Sequence, residues 1–431
     1  PLHLPLRFFG TAPLFILLTG CGMAFWGQEI WIAPLLPVTV GVLHLTVLGW
    51  LLMVVMGAMY QMIPVLAGIP VPWPGGIPWV HGLFTLGVAG FVAGVGLEWW
   101  PAWTVPFSLV ALGLSVAGFL VPVALALVKA PARHPTVNAM RVALFALTGT
   151  LLLGLIFLWE YAFGFWELDR HAVVGIHLVW GLLGVMGSLI VGVSFQVLPM
   201  FYMTPEFPPN RAGWILRGMA LFLSLMPAAL LWAGPEHPWA LYAAALPGVV
   251  AVAWYGVETR RMLVNRKRKL VDATLRFWYL GFGCGFLALL SLALWPVAGD
   301  ERLRYLFGLL YVLGWVASVM TGMLHKIIPF LVWFHRFSNL AGLQEIPMMD
   351  DLSPLRAVNA QVYLHGGLVL TFALAILTGW DWAVRLGGIG LLGVGGISLY
   401  ALWFALRIQP PPMPEMPDFA SFFKDVNLPQ A

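Results

Sequence analysis

The chain has 431 residues, of which 61% are hydrophobic and 9% charged, with ten histidines, two cysteines and a formal net charge of +4. A mean hydropathy of +0.90 implies more apolar surface than a soluble core of this length can bury, which excludes a water-soluble globular protein. The isolated Cys21 and Cys284 exclude a CxxC pair and the CxxCH attachment site of covalently bound haem. We therefore interpret the chain as an all-α polytopic membrane protein.

Twelve apolar runs are long enough to cross a membrane. A span takes about 20 apolar residues, and Gly, Pro or charged residues separate such runs along the chain. The predicted spans cover residues 8–27, 35–67, 77–97, 102–128, 138–165, 171–201, 212–232, 239–259, 274–297, 303–332, 359–380 and 383–407. No A-x-A site follows the first run, so we expect no cleaved signal peptide.

Basic residues predict the orientation of the spans, because Lys and Arg collect in short cytoplasmic loops. Twelve spans put most of these residues on one side, including the run RRMLVNRKRK from Arg260 to Lys269. The exceptions on the other side are Arg170, Arg302, Arg304 and Arg385. We expect a prokaryotic cytoplasmic (inner) membrane, with both termini cytoplasmic. The basic run is interpreted as a topology anchor that contacts anionic lipid and not as a nucleic-acid site.

Spans two, six and ten share one pattern: Gly, seven residues, Gly, six residues, Pro. The three segments are LGWLLMVVMGAMYQMIP, LGVMGSLIVGVSFQVLP and LGWVASVMTGMLHKIIP, ending at Pro64, Pro199 and Pro329. Three positions before each proline lies Gln61, Gln196 or Lys326. The pattern predicts three pseudo-symmetric four-helix units, about 1–130, 131–265 and 266–408, in one transmembrane domain, followed by a cytoplasmic Pro-rich tail, 409–431. An even number of spans per unit makes the three long helices run in the same direction.

Two histidines lie in the external halves of these long helices. His44 precedes Pro64 by 20 residues and His177 precedes Pro199 by 22, so at 1.5 Å per residue their depths differ by only ~3 Å. Two imidazoles at one level can provide both axial ligands of a haem iron. The alternative is that each histidine forms a hydrogen bond to a neighbouring helix. Zinc or copper would require three or four clustered ligands, which the sequence does not display.

A weaker second group of histidines is predicted near the cytoplasmic ends of three spans. These are His81, His325 and His365, which are candidates for a second haem or metal site. Independent histidines at the membrane interface are the alternative explanation. In the loop between spans ten and eleven, Asp350 and Asp351 are expected to form a solvated cap.

Twelve spans with both ends inside, three four-helix units and external histidines on the long helices resemble subunit I of the haem-copper oxidase and nitric oxide reductase superfamily. They are also similar to NnrS-like membrane haem proteins. That superfamily takes its catalytic metal ligands from histidines in spans six and seven, and further haem ligands from an H-x-H in span ten. The corresponding stretches GVMGSLIVG, GWILRGMALFLSLMPAALL and YLFGLLYVLGW contain no histidine. We therefore expect no copper site and no oxygen-reducing binuclear centre.

The resemblance implies that His44 and His177 hold a non-covalent haem b in another of three equivalent crevices. The predicted function is electron transfer or a response to nitric oxide or another diatomic gas, with no reaction assigned. The expected partners are membrane lipid, a redox partner or respiratory subunit, and a second copy of the chain, but no nucleic acid. The alternatives are a transporter without haem and a structural subunit of a respiratory complex. Carriers usually consist of two halves, which differs from the threefold repeat.

Overall fold

The computed structural model describes residues 2–98, 101–131, 134–164, 170–233 and 237–412. These residues form twelve helices that are long and apolar enough to cross a membrane, and they contain no strand. The bounds are α1 His3–Trp31, α2 Pro37–Ala67, α3 Pro74–Gly96, α4 Thr104–Lys129, α5 Pro135–Phe163, α6 Arg170–Tyr202, α7 Pro209–Trp232, α8 Trp239–Val264, α9 Ala273–Ala298, α10 Glu301–Arg336, α11 Leu355–Thr378 and α12 Asp381–Arg407. The predicted all-α polytopic fold is confirmed. Most of the predicted tail, from residue 413 on, lies outside the described residues.

Local chemistry determines where the helices begin and end. Pro37 and Pro135 occupy first helical positions, where a missing N–H costs no hydrogen bond. Gly68 and Gly379 end their helices in the left-handed conformation, at φ of 68° and 73°. Asp272 caps α9 by accepting a hydrogen bond of 2.9 Å from a backbone N–H of the first turn. The apolar runs are thus bounded by residues that favour helix ends.

The long helices α2, α6 and α10 each contain a π-helical stretch at the same register. The stretches are Leu45–Leu52, Val179–Gly187 and Leu310–Ala317, and each ends 12 residues before the repeat proline. π-Helix is rare and occurs mostly as single turns, frequently at functional sites. Its recurrence at one register in three helices shows that the repeat extends to the backbone.

The repeat glycines bring the first helix of each unit close to the long helix. A Cβ added at the second glycine would lie 2.7 Å or less from a Cβ of α1, α5 or α9; the pairs are Gly57–Phe8, Gly192–Ala139 and Gly322–Phe277. At the first glycine the corresponding distance is 2.8 Å or less, and the pairs are Gly49–Phe15, Gly184–Ala146 and Gly314–Cys284. The partners in each unit are seven residues apart. The glycines therefore fix the same close packing three times.

The last helix packs along the first. A Cβ at Gly20 of α1 would lie 2.7 Å from the carbonyl oxygen of Gly388 in α12. At one end of this seam, the Arg385 guanidinium donates hydrogen bonds of 2.9 and 2.6 Å to the carbonyl oxygens of Ala24 and Phe25. Helix α4 packs on α5 less extensively, and α8 and α9 share the sparsest of these three contacts. The bundle is therefore a ring that is less tightly closed between α8 and α9.

The three long helices meet around a small cavity of about 100 Å³ in the middle of the bundle. Six methionines line it: Met59, Met62, Met140, Met186, Met320 and Met323. This apolar centre separates the two ends of the bundle, at which the polar groups described below are found.

Candidate functional site

The structure brings the side chains of His44 and His177 together between α2 and α6. Their ring centroids are 6.3 Å apart and their planes are inclined by 29°. His44 directly precedes the π-helical stretch of α2, and His177 precedes that of α6 by two residues. The proline spacing predicted a common depth. The rotation of each helix, which the spacing does not determine, places the two rings on neighbouring faces of α2 and α6.

Each of the two imidazoles has one nitrogen engaged by a backbone carbonyl. His44 Nδ1 lies 2.8 Å from the oxygen of Val40, one helical turn earlier, and His177 Nδ1 lies 3.0 Å from the oxygen of Thr150 in α5. Because a carbonyl only accepts, each Nδ1 carries the hydrogen and each Nε2 of the neutral ring keeps its lone pair. Metal-binding histidines have this arrangement, since the second N–H is usually donated to a carbonyl or carboxylate.

Aromatic side chains and one glycine surround the two rings. Phe91 of α3 packs on His44 with a centroid distance of 4.7 Å, and Phe157 of α5 packs on His177 at 5.7 Å. A Cβ at Gly154 would lie 3.3 Å from His177 Cε1, so the missing side chain makes room for the ring. Both imidazoles are half-buried. The surroundings of the two Nε2 lone pairs are therefore apolar.

Polar contacts lie at the end of the bundle next to the histidines. Glu98, which follows α3, accepts a hydrogen bond of 3.3 Å from the Tyr161 hydroxyl of α5. Arg170, the first residue of α6, forms an ion pair of 3.1 Å with Glu160 of α5. Such exposed pairs add little stability, but they indicate where the apolar part of the bundle ends. The histidine pair lies just inside that boundary.

Comparisons with known proteins assign no family to the chain. No protein-family model matches it, and no curated protein is significantly similar to it.

The chemistry of His44 and His177 is therefore inferred from the geometry of their rings. Two imidazoles that bind one metal from opposite sides through Nε2 have centroids roughly 6 Å apart, because each nitrogen lies ~2 Å from the metal and ~1 Å from its ring centre. The observed separation of 6.3 Å fits this requirement.

Two of the weaker histidine candidates, His325 and His365, lie beside the same phenylalanine. Their ring centroids are 6.3 and 5.8 Å from that of Phe277. His325 Nε2 lies 2.5 Å from the side-chain oxygen of Gln361, and His365 Nε2 lies 2.9 Å from the carbonyl oxygen of Leu313. Each ring thus uses Nε2, the nitrogen that is left free in the pair described above, for a hydrogen bond within the protein.

The third weaker candidate, His81, has a different set of neighbours. Its Nε2 lies 2.8 Å from the hydroxyl of Thr11 in α1, and its ring packs on Phe8 at 5.0 Å. Within the described ranges, no group of three or more His, Cys, Asp or Glu side chains is placed to hold a metal ion. The structure therefore brings His44 and His177 together, and places His81 apart from His325 and His365.

A cavity of about 690 Å³ lies at the opposite end of the bundle, and sequence reasoning did not identify it. We call it the basic pocket, and its charged lining consists of Arg268, Asp272, Arg276, Lys326 and Asp350. Lys326 Nζ lies 2.9 Å from Asp272 Oδ2 and 3.9 Å from Asp350 Oδ1. The one sequence signal was that Lys326 replaces the glutamine of the other two repeats.

The acidic groups of the basic pocket are held by specific partners. Burial alone would raise the pKa of the Asp272 carboxyl, but hydrogen bonds from Lys326, Thr274 and the Leu275 N–H, together with the lysine charge, hold that pKa below its ordinary value of 3.8. Asp350 pairs with Arg268 at 3.5 Å, so the expectation that it is a solvated cap was incomplete. Its neighbour Asp351 does cap the turn, by accepting a hydrogen bond of 2.9 Å from a backbone N–H.

Proposed function

We propose that the protein is an integral membrane haem protein, with His44 and His177 as the two axial ligands of a non-covalently bound haem b. The observation that supports this most is the pair of rings 6.3 Å apart, each with Nδ1 on a carbonyl and a lone pair left on Nε2. When bound, haem supplies reversible one-electron chemistry at its iron. The proposal includes a distant relationship to the oxidase and nitric oxide reductase superfamily, and to NnrS-like proteins, without the copper site.

In this proposal the protein's own groups orient and shield the ligands. The carbonyls of Val40 and Thr150 hold the tautomer and direction of the two rings. Phe91 and Phe157 pack on the rings and cover part of each. If both imidazoles hold the haem iron, the protein would leave no position for a further ligand, which favours electron transfer as the main activity.

The test is a reduced-minus-oxidised absorption spectrum and pyridine extraction of the protein purified from cells supplied with iron and haem. We expect haem b, and we expect His44→Ala and His177→Ala each to lower its content roughly tenfold or more. His171→Ala is the control, because this histidine is exposed and lies one to two turns before His177. A colourless wild-type protein, or unchanged haem in both variants, would contradict the proposal.

Binding of a diatomic gas is the second candidate function. The observation that favours it is that both rings are half-buried, whereas His325 and His365 are buried. A gas would have to displace one imidazole, and a half-buried ring has space to move. Carbon monoxide or nitric oxide added to the reduced protein would then shift the haem spectrum. An unchanged spectrum would leave electron transfer as the single proposed activity.

A further inference from the structure

The basic pocket has the size of a ligand site and is distant from the histidine pair. Its volume of about 690 Å³ is within the range of pockets that hold small molecules. It lies between the last turns of α6 and α10 and the first turns of α9 and α11. Met200 in its lining follows His177 by 23 residues in α6, which corresponds to ~35 Å along the bundle. The pocket is therefore a separate site.

Cationic groups outnumber anionic ones in the lining. Arg268, Arg276 and Lys326 face Asp272 and Asp350, which leaves one positive charge in excess. The backbone N–H of Lys267, in the adjoining basic run, donates to the carbonyl oxygen of Met203 in the lining, so this run is attached to the edge of the pocket. The local potential therefore favours an anionic ligand.

Arg276 is the cation best placed to bind such a ligand. Its guanidinium donates hydrogen bonds of 3.2 Å to the Asn359 side-chain oxygen and to the Tyr363 hydroxyl, both neutral groups. Within the described part of the chain it has no carboxylate partner. Guanidinium groups bind phosphate and carboxylate with two parallel hydrogen bonds. Both hydrogen bonds of Arg276 come from one terminal nitrogen, so its other N–H groups can bind such a ligand.

The remaining wall of the basic pocket is apolar and reaches the outside of the bundle. Leu270 and Met348 in this wall are 63% and 75% exposed. The Trp333 indole N–H donates to the Pro347 carbonyl oxygen at 2.9 Å and thereby fixes the loop before α11. The neighbouring contact between α8 and α9 is the sparse one of the ring. An acyl chain therefore has an apolar surface that continues from the pocket toward the membrane.

We propose that the basic pocket binds the phosphate of an anionic amphiphile, with Arg276 and Lys326 at the headgroup and the apolar wall along the acyl chain. A basic pocket between transmembrane helices is a known type of binding site for anionic lipid headgroups. Free phosphate shares the headgroup chemistry but would leave the apolar wall uncovered. The proposal does not depend on haem, since the two sites are far apart.

The experiment is native mass spectrometry of the full chain in detergent with phosphatidylglycerol, phosphatidylcholine or inorganic phosphate. We expect phosphatidylglycerol to bind at least tenfold more tightly than phosphatidylcholine and to resist millimolar inorganic phosphate. Binding of phosphate alone, with displacement of the lipid, would identify a free phosphate as the source of the same chemistry. Equal binding of the two lipids, or no binding of phosphatidylglycerol or phosphate, would overturn the proposal.

Three variants test the residues, and one variant controls for charge. Arg276→Gln, and Lys326→Gln combined with Asp272→Asn, should each weaken phosphatidylglycerol binding at least tenfold; glutamine already occupies the position of Lys326 in the other repeats. Ser353→Trp should block the pocket without altering its charge. Arg302→Gln removes a charge at the other end and should have no effect. Unchanged binding in the folded Arg276 and Ser353 variants, with unaltered melting temperatures, would exclude the site.

Discussion

Helices α2 and α6 share a packing pattern with α10 but carry different ionisable residues. All three share the two glycines, the proline and the π-helical stretch at one register. At the positions of His44 and His177, counted back from the proline, α10 has Leu309 and Phe307. Near the other end, α10 alone has a lysine, Lys326, where α2 and α6 have glutamine.

The comparison shows that the packing contacts are repeated in all three long helices, whereas the ionisable groups are not. Residues that set helix contacts recur three times, because each unit must bring its first helix close to its long helix. Ionisable groups within spans are costly and by default indicate functional sites. The paired histidines are present in two units, and the lysine is present in one. One pair of units therefore carries the imidazoles at one end, and the third unit carries the ion pair at the other.

The shared packing can be broken most severely at Gly192. A Cβ there would lie 1.9 Å from the Cβ of Ala139, so Gly192→Leu forces α5 and α6 apart. We expect a loss of more than about 4 kcal/mol, seen as a loss of folded protein in size-exclusion chromatography. Gly213→Leu in α7 is the control, because nothing lies near a Cβ at that position. Normal yield and melting temperature for Gly192→Leu would mean that the repeated close contact is not needed.

The ion pair of the third unit, between Lys326 and Asp272, can be removed by substituting Asp272. The side chains of Lys326 and Asp272 are only 13% and 19% exposed, so Asp272→Ala leaves a mostly buried ammonium without its nearest partner. The expected cost is about 3 kcal/mol, measured by thermal unfolding in detergent. Adding Lys326→Gln should recover most of this loss. If the double variant is no more stable than the single one, the charge pair is not the cause.

The same pair predicts how stability changes with pH. The folded-state pKa of Asp272 is held below its ordinary value of 3.8, so its contribution is present above that value and is lost as the pH falls through the folded pKa. The melting temperature should therefore decrease from about pH 5 downward. The variant with Asp272→Asn and Lys326→Gln should show a flatter profile over the same range. Parallel profiles for the two proteins would assign the acid sensitivity to other groups.

The smallest effect is expected at Gly154, where the histidine site can be adjusted without removing a donor. A Cβ there would lie 3.3 Å from His177 Cε1, so Gly154→Ala should move the ring by a few tenths of an ångström. We expect haem content to fall less than threefold, with a measurable shift of the reduced absorption bands. Gly213→Ala should leave the spectrum unchanged. A shift of equal size in both variants would show that His177 is not near the chromophore.

Hydropathy was sufficient to predict the spans, because lipid requires a continuous apolar run. Span two was predicted as 35–67 and is Pro37–Ala67, while span ten was predicted as 303–332 and continues to Arg336. The helix continues because the Arg336 guanidinium donates to the carbonyl oxygens of Leu406 and Ile408, at 2.7 and 2.9 Å. The Arg336 charge at the end of α10 thus has hydrogen-bond partners at the end of α12.

For the candidate site, spacing along a helix predicted depth but not partners. The proline distances put His44 and His177 at one level, yet the carbonyls that hold them belong to Val40 and Thr150, and backbone groups leave no signal in a sequence. The π-helical turns that follow both histidines were also unpredictable. Lys326 was visible as a departure from the repeat, but its partner lies 54 residues earlier in the chain, in a loop.

The seam between α1 and α12 has a consequence for how the protein is made. Its contacts join residues more than 350 positions apart, such as Gly20 with Gly388 and Arg385 with Ala24. During synthesis α1 cannot form these contacts until the final helix has been inserted. Assembly of the ring is therefore completed last at this seam, and a ribosome stalled before α12 would leave every earlier helix in place but the ring open.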